Sequence, residues 1–120
     1  MILGHGIDLQ DIDQISKAFE RNPRFACKVL TEREHDYFES LKGQKRINFL
    51  AGRWAAKEAF SKAWGTGIGQ LRFQDLEVMA DDKGAPVFTK HPFKGRVLVS
   101  ISHTANLVQA SVILEERDDC

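Results

Sequence analysis

The chain reads RWAAKEAFSKAWGTG between residues 53 and 67, and this stretch predicts a long helix at the centre of the protein. Alanine and long side chains dominate it, and neither glycine nor proline occurs between Arg53 and Trp64. Gly65 follows at the position where a left-handed residue ends a helix. Glu58 shares a face with apolar neighbours, where an unpaired carboxylate is costly to bury. We therefore expect a cation close to Glu58.

Three basic residues flank this glutamate, namely Arg53, Lys57 and Lys62. Lys62 follows Glu58 by one helical turn, so the two side chains can form an i,i+4 ion pair. A carboxylate among cations, followed by a glycine-rich segment, is what a site for a metal and phosphate groups requires. An amphipathic core helix with solvated charges is the alternative interpretation, and this segment alone does not decide between them.

Composition indicates one ordinary globular domain covering residues 1–120. Of the 120 residues, 42% are hydrophobic and 28% are charged. The 17 basic residues balance the 17 acidic ones, which argues against bulk affinity for nucleic acid or membranes. Cys27 and Cys120 match no metal or redox spacing, and we expect Cys27 to be a small core residue. With no signal peptide or membrane-spanning run, we expect a cytoplasmic protein.

The order of the predicted elements indicates an α+β fold. Helices follow a first strand, and two hairpins fill the second half of the chain. We expect a small single domain in which an antiparallel sheet packs against the long central helix. The predicted strands cover residues 1–9, 75–80, 86–89, 97–104 and 107–115, and the predicted helices cover 12–21, about 32–42 after a capping box at Thr31, and about 47–64.

The first strand places a carboxylate beside a face without bulk. Alternation puts Gly4, Gly6 and Asp8 on one side, so another backbone or a ligand can approach closely there. Asp8 is then a second metal-ligand candidate besides Glu58, since a pair of carboxylates with open positions suits Mg²⁺ and bridging phosphates. The competing interpretation is a turn aspartate, and sequence spacing does not show that Asp8 and Glu58 meet.

Several familiar sites are excluded. The glycines after residue 64 follow a helix instead of opening one, so they form neither a dinucleotide fingerprint nor a Walker loop. Ser102 and His103 are neighbours on a predicted strand and point to opposite faces, so they do not form a nucleophile–base pair. No Gly-x-Ser-x-Gly elbow occurs, which makes a serine hydrolase a poor interpretation.

Taken together, these segments resemble the bacterial holo-(acyl-carrier-protein) synthases, the small class of 4′-phosphopantetheinyl transferases. The resemblance covers nearly the whole chain, in order and at matching spacings. The segments that carry it are GID at residues 6–8, FLAGRWAAKEAFSKA at 49–63, GTGI at 65–68, GAP at 84–86 and VSISHT at 99–104.

The resemblance implies an enzyme that transfers the 4′-phosphopantetheine arm of coenzyme A to a serine of apo acyl carrier protein, releasing 3′,5′-ADP. This reaction supports fatty acid biosynthesis, a branch of lipid metabolism. In that family Mg²⁺ is the metal, and the enzyme is a homotrimer with active sites between subunits. The residues that match the family pattern are Asp8 and Glu58 for Mg²⁺, Lys62 with Lys57 and Arg53 for phosphates, and His103, Thr104 and the Gly65 loop for the nucleotide.

Arg21, Arg24 and Phe25 match the surface on which the family docks the acidic carrier helix. Arginine and aromatic side chains are common interface anchors, although a solvated turn is an equally simple interpretation of this segment. Gln14 stands where many relatives have an arginine, so Arg21 and Arg24 are expected to do more of the docking.

Two other functions remain open at this stage. One is a Mg²⁺-dependent hydrolase that splits diphosphates of coenzyme A-like nucleotides with water. The other is a non-catalytic module that binds nucleotides or acidic helices. The group that accepts the serine proton also stays open among Asp36, Glu58 and a water on the metal.

Overall fold

The structure, a computed structural model, describes residues 1–65 and 70–117. The glycine-rich loop predicted to line the nucleotide, apart from Gly65, and the tail with Cys120 lie outside the described residues. The elements in chain order are β1 Ile2–Asp11, α1 Ile12–Arg21, α2 Arg24–Val29, α3 Glu32–Ser40, α4 Gly43–Trp64, a 3₁₀ turn Phe73–Asp75, β2 Glu77–Ala80, β3 Pro86–Lys90, β4 Arg96–His103 and β5 Leu107–Glu115.

The strands form two antiparallel sheets. Strand β5 lies between β1 and β4 in a three-stranded sheet, while β2 and β3 form a separate hairpin. This confirms the α+β class and both predicted hairpins. The long central helix is also confirmed, and Gly65 ends it with a φ of 89° in the left-handed region.

Helix α4 covers the inner face of the three-stranded sheet. Alternate residues of β5 are buried beneath it, from Val108 to Leu114. The buried helix face consists largely of alanines, among them Ala51, Ala55 and Ala59. Because these side chains are small, the helix axis can lie close to the strands.

Strand β1 makes the closest approach to α4. A Cβ placed on Gly6 would lie 2.1 Å from the carbonyl oxygen of Ala59 and 2.6 Å from the backbone nitrogen of Ala63. A Cβ on Gly4 would lie 2.2 Å from the carbonyl oxygen of Ala63. Only glycine fits at both positions, because backbone stands in the way in each case. Asp8, the next residue on this face of β1, is therefore held against the helix.

Three sequence predictions differ from the structure. Helix α4 begins at Gly43 instead of near Ile47, because the polar residues that follow Gly43 are good helix formers. The six-residue helix α2 was not predicted, since it is short and its N-cap, Pro23, makes no capping hydrogen bond through its side chain. Cys27 was expected in the core and is exposed. The cause is α2 itself, which buries Ala26 and Val29 and turns Cys27 outwards.

No helix within the described residues combines the length and the apolar character that a bilayer crossing requires. The cytoplasmic location stays a prediction.

Candidate active site

Asp8 is the buried centre of a small polar cluster between β1 and α4. Its side chain is buried, and both carboxylate oxygens accept hydrogen bonds. The Nζ atom of Lys62 donates to Oδ1 at 3.0 Å, and Nε2 of Gln10 donates to Oδ2 at 2.9 Å. Lys62 Nζ also donates to the carbonyl oxygen of Ile7 at 3.1 Å, so the lysine is anchored to β1 by two contacts.

Glu58 completes this cluster from α4, four residues before Lys62. Burial raises the pKa of the Glu58 carboxyl, the Asp8 carboxylate raises it further, and Lys62 acts in the opposite direction. The two predicted metal ligands, far apart in sequence, are thus close enough to repel each other. Lys62 was expected as a cation that could balance the negative charge of Glu58. It balances that charge only in part, because its ammonium group bonds to Asp8.

This arrangement fits a divalent cation of the Mg²⁺ type. Both donor groups are carboxylates, the oxygen ligands that Mg²⁺ prefers, and burial together with the nearby Asp8 carboxylate raises the pKa of Glu58. Among the described residues, no group of three or more His, Cys, Asp or Glu side chains is placed to hold a metal. Waters and substrate phosphate oxygens would fill the remaining positions, as is usual for Mg²⁺.

Lys57 lies elsewhere than the resemblance predicts. Its side chain is fully buried, and Nζ donates to Glu34 Oε1 at 2.6 Å and to the carbonyl oxygen of Val29 at 2.7 Å. Burial lowers the pKa of the Lys57 ammonium group, while the Glu34 carboxylate raises it. We correct the predicted phosphate contact of Lys57 accordingly, because an ammonium group enclosed in the core cannot reach a phosphate.

Arg53 and His103 lie together in a different place, a cleft of about 540 Å³ between the start of α4 and the end of β4. Arg53 is half-buried and held by two contacts. Its Nε donates to the carbonyl oxygen of Val78 at 3.0 Å, and its guanidinium carbon lies 4.2 Å from the centroid of the Phe49 ring. The other lining residues with polar or turn-forming groups are Tyr37, Lys45, Asn48, Gly84 and Pro86.

Thr104 follows His103 at the turn into β5. Its hydroxyl oxygen accepts from the backbone nitrogens of Asn106 at 3.2 Å and Leu107 at 3.1 Å, so it shapes the hairpin turn. Sequence reasoning missed Lys45 and Tyr37 as neighbours of this cleft. Lys45 shares α4 with Phe49 and Arg53, but Tyr37 lies on α3, so no spacing in the sequence reveals the cleft.

We call the cluster of Asp8, Glu58 and Lys62 the acidic cluster, and the cleft that holds Arg53 and His103 the basic cleft. The two lie on opposite sides of α4. Phe49 precedes Glu58 by two and a half turns, which places the two side chains about 180° apart around the helix axis. The same count separates them by about 13 Å along the axis. One chain therefore presents an acidic cluster and a basic cleft that face away from each other.

The predicted docking residues lie where α1 gives way to α2. Arg21 ends α1 and Arg24 begins α2, and both side chains are exposed. Phe25 is half-buried with its ring centroid 5.4 Å from that of Trp54. Beside it opens an apolar cavity of about 470 Å³, lined by Phe25, Trp54 and Phe73 and by the cations Lys28 and Arg72.

Sequence reasoning did not find this cavity. Trp54 belongs to the recognised central helix, but its partner Phe73, whose ring centroid lies 4.8 Å away, comes from a distant 3₁₀ turn. No periodicity links two such positions, so only the folded chain brings them together.

Comparison with known proteins identifies the family of this chain. A sequence model of the 4′-phosphopantetheinyl transferase superfamily matches residues 4–113. A holo-[acyl-carrier-protein] synthase of Streptococcus mutans is 64% identical over 118 residues, which covers 98% of this chain and 99% of that protein.

Solved structures show the same fold. A holo-(acyl-carrier-protein) synthase of Bacillus anthracis, in complex with CoA (3′,5′-ADP), superposes with a TM-score of 0.91 at 42% identity, covering 98% of this chain and 99% of that one. A Helicobacter pylori holo-[acyl-carrier-protein] synthase in complex with coenzyme A gives a TM-score of 0.81 at 31% identity, covering 92% and 99%. The chain therefore belongs to the 4′-phosphopantetheinyl transferase superfamily, among its holo-(acyl-carrier-protein) synthases.

Proposed function

We infer that this chain transfers the 4′-phosphopantetheine group of coenzyme A to a serine of apo acyl carrier protein and releases 3′,5′-ADP. The observation that carries this inference is the cluster of Asp8, Glu58 and Lys62 in a chain 64% identical to a holo-[acyl-carrier-protein] synthase. We further propose that the reaction serves fatty acid biosynthesis.

The chemistry is a phosphoryl transfer. The serine oxygen forms a bond to the pantetheine-side phosphorus of the coenzyme A diphosphate, and the bond from that phosphorus to the bridging oxygen breaks. The electron pair leaves with 3′,5′-ADP, and the serine proton passes to a base. Such reactions are accelerated mainly by positioning and by neutralising phosphate charge. Lys62, half-exposed and aimed by Asp8, is placed to neutralise that charge.

We propose that Asp8 and Glu58 hold Mg²⁺ beside this lysine. When bound, the ion would offset the negative charge of the coenzyme A phosphates. Support comes from the donor set and from the mutual repulsion of the two carboxylates, which a dication relieves. The protein's own task here is to hold both carboxylates in fixed positions, which β1 and α4 do through their close contact.

We propose that the basic cleft binds the nucleotide end of coenzyme A. Lys45, Arg53 and His103 supply cationic or hydrogen-bonding groups for phosphate, while Tyr37 and Phe49 offer aromatic surface for the base. The predicted nucleotide contacts His103 and Thr104 are retained in this proposal. Gly65 lies at the other end of α4, and the nucleotide contact expected of its loop stays a prediction.

We propose that one site combines the acidic cluster of one subunit with the basic cleft of the next, in a homotrimer. Support comes from the placement of these two groups on opposite sides of α4. The outer face of the three-stranded sheet also exposes a run of apolar side chains, which favours burial between copies. These residues are Leu3, Ile7 and Leu9 of β1, Leu98 of β4 and Leu107 of β5.

We propose that the carrier docks on Arg21, Arg24 and Phe25. The two exposed arginines suit an acidic helix, and the cavity between Phe25 and Trp54 suits an apolar side chain of that helix. The fit of charge and of apolar surface on one face distinguishes this site from a purely ionic patch.

The transfer itself is tested by mass spectrometry of apo carrier protein after incubation with this protein, coenzyme A and Mg²⁺. We expect the carrier to gain one phosphopantetheine unit and 3′,5′-ADP to appear in equal amount. Lys62→Met should slow this by about 10²-fold or more, since one positioned charge is commonly worth that much. Release of phosphopantetheine with unmodified carrier would instead identify a hydrolase, and binding without turnover would identify a non-catalytic module.

The metal site is tested by thermal unfolding of Glu58→Gln. The pKa of Glu58 is raised in the folded chain, so the folded state holds more protons than the unfolded state and the stability contribution of Glu58 falls as pH rises through that pKa. We expect Mg²⁺ to raise the Tm of the wild type at neutral pH, and less so at acid pH where Glu58 is protonated. Glu58→Gln should have a higher Tm without metal and no Mg²⁺ response. The exposed substitution Glu20→Gln is the control, and an unchanged Mg²⁺ response in Glu58→Gln would refute the ligand assignment.

The shared site is tested by co-expressing Asp8→Asn with His103→Ala, each inactive or weak alone. In a randomly mixed trimer with sites between subunits, roughly a quarter of the sites combine two unaltered halves, so activity should return to that level. Light scattering should report a trimer for every variant. A fully active monomer, or mixed trimers with no recovery, would show that each site lies within one chain.

Carrier docking is tested by steady-state kinetics of Arg24→Glu over a salt series. Reversal replaces attraction by repulsion, so the KM for carrier should rise well beyond the roughly fivefold expected from losing one exposed ion pair. The KM for coenzyme A should stay nearly constant. The wild-type carrier KM should itself rise with salt, because screening acts over about 10 Å at 0.1 M. Lys94→Glu, an exposed reversal in the β3–β4 connection, should leave carrier KM close to that of the wild type; equal effects of the two reversals would disprove the docking site.

A further inference from the structure

Helix α2 carries two of the three proposed docking residues but is poorly stabilised by its own sequence. It spans only the six residues Arg24–Val29, and its N-cap, Pro23, makes no side-chain hydrogen bond. A helix this short is not stable alone in water. Its position relative to the rest of the site must therefore be set by contacts from other elements.

Side chains from elsewhere satisfy the carbonyl groups at the C-terminus of α2. Lys57 Nζ, from α4, donates to the carbonyl oxygen of Val29 at 2.7 Å. Gln74 Nε2, from the 3₁₀ turn, donates to the carbonyl oxygens of Cys27 at 2.6 Å and Leu30 at 3.3 Å. The last carbonyls of a helix have no partners within it, and a cation beside them also complements the helix dipole.

Glu34 makes this arrangement possible inside the core. Its Oε1 accepts from Lys57 Nζ at 2.6 Å and from the backbone nitrogen of Thr31 at 2.8 Å, while Oε2 accepts from the backbone nitrogen of Val78 at 2.7 Å. Both charges of the buried pair are thus paired and hydrogen-bonded, the condition under which burial is tolerated. Lys57 also immediately precedes Glu58 in α4. Of these two neighbouring residues, Lys57 holds the docking helix and Glu58 is a proposed metal ligand.

We propose that Lys57 and Gln74 are positioning residues for the carrier protein. They hold the C-terminal carbonyls of α2 and so keep the docking helix at the distance from Glu58 that delivers the carrier serine to the phosphate. This role rests on the proposed docking of the carrier at Arg24 and Phe25. It replaces, for Lys57, the phosphate contact that the core position rules out.

The test combines kinetics with hydrogen exchange on the full-length enzyme. Gln74→Met removes the donor without adding charge, and Lys57→Met combined with Glu34→Gln removes the cation without leaving a buried carboxylate unpaired. We expect each to raise the KM for carrier roughly three- to tenfold, the value of one or two lost hydrogen bonds, and to leave the KM for coenzyme A within about twofold. Amide exchange in residues 24–30 should become faster in the free enzyme.

Matched measurements separate positioning from other roles. Arg24→Gln should flatten the salt dependence of carrier KM, whereas Gln74→Met should raise that KM without changing its salt dependence. Lys94→Met, the same substitution at an exposed lysine, should change neither kinetics nor exchange.

If Arg24→Gln alters carrier KM but Gln74→Met and the double variant do not, the positioning role is refuted while docking stands. If Arg24→Gln has no effect, the docking surface itself is wrong. If the KM for coenzyme A rises together with the KM for carrier in the double variant of Lys57 and Glu34, the positioning role is refuted and a phosphate contact of Lys57 is supported instead.

Discussion

The close contact between β1 and α4 is the constraint on which the acidic cluster depends. Two glycines on one face of β1 lie directly against the helix backbone, and the next residue on that face is Asp8. The pleat of the strand and the turn of the helix then fix the position of the Asp8 carboxylate relative to Glu58 and Lys62. A larger residue at Gly6 would move the strand outwards and separate the two carboxylates.

That contact creates an electrostatic conflict which is useful to the enzyme. Burial and, after it, the nearby Asp8 carboxylate raise the pKa of Glu58, and Lys62, which is bonded to Asp8, offsets only part of this effect. A stable core would avoid such an arrangement, since unpaired buried charge costs free energy. The proposed metal ion and the substrate phosphate groups would relieve this repulsion, and preorganised charge lowers the barrier of phosphoryl transfer.

A second pair of charges, Lys57 and Glu34, needs no ligand from outside the chain. Both side chains are fully buried, and they form an ion pair and hydrogen bonds with other groups of the chain. The network ties together the end of α2, the start of α3, the middle of α4 and strand β2. Neighbouring residues of one helix thus differ completely in role, because a step of about 100° turns Lys57 into the core and Glu58 towards β1.

Much of the fold was predictable from local patterns. Helix α1 and strand β5 have the predicted bounds, the capping box at Thr31 opens α3, and Gly65 ends α4 as expected. These features depend on residues within a few positions of each other, where spacing, caps and glycine conformations act directly. Two of the predictions that failed concern Cys27 and Lys57, whose surroundings are set by α2, an element too short to leave a periodic signal.

The sequence by itself determined the element types, the glycine face of β1 and, through its motifs, the family and the metal-ligand candidates. Only the tertiary structure decided that Lys62 bonds Asp8, that Lys57 serves the core, and that Arg53 and His103 share a cleft on the far side of α4. The reason is physical. Periodicity states which side of its own element a residue occupies, whereas partners are chosen by the packing of elements distant in sequence, where burial and charge compete.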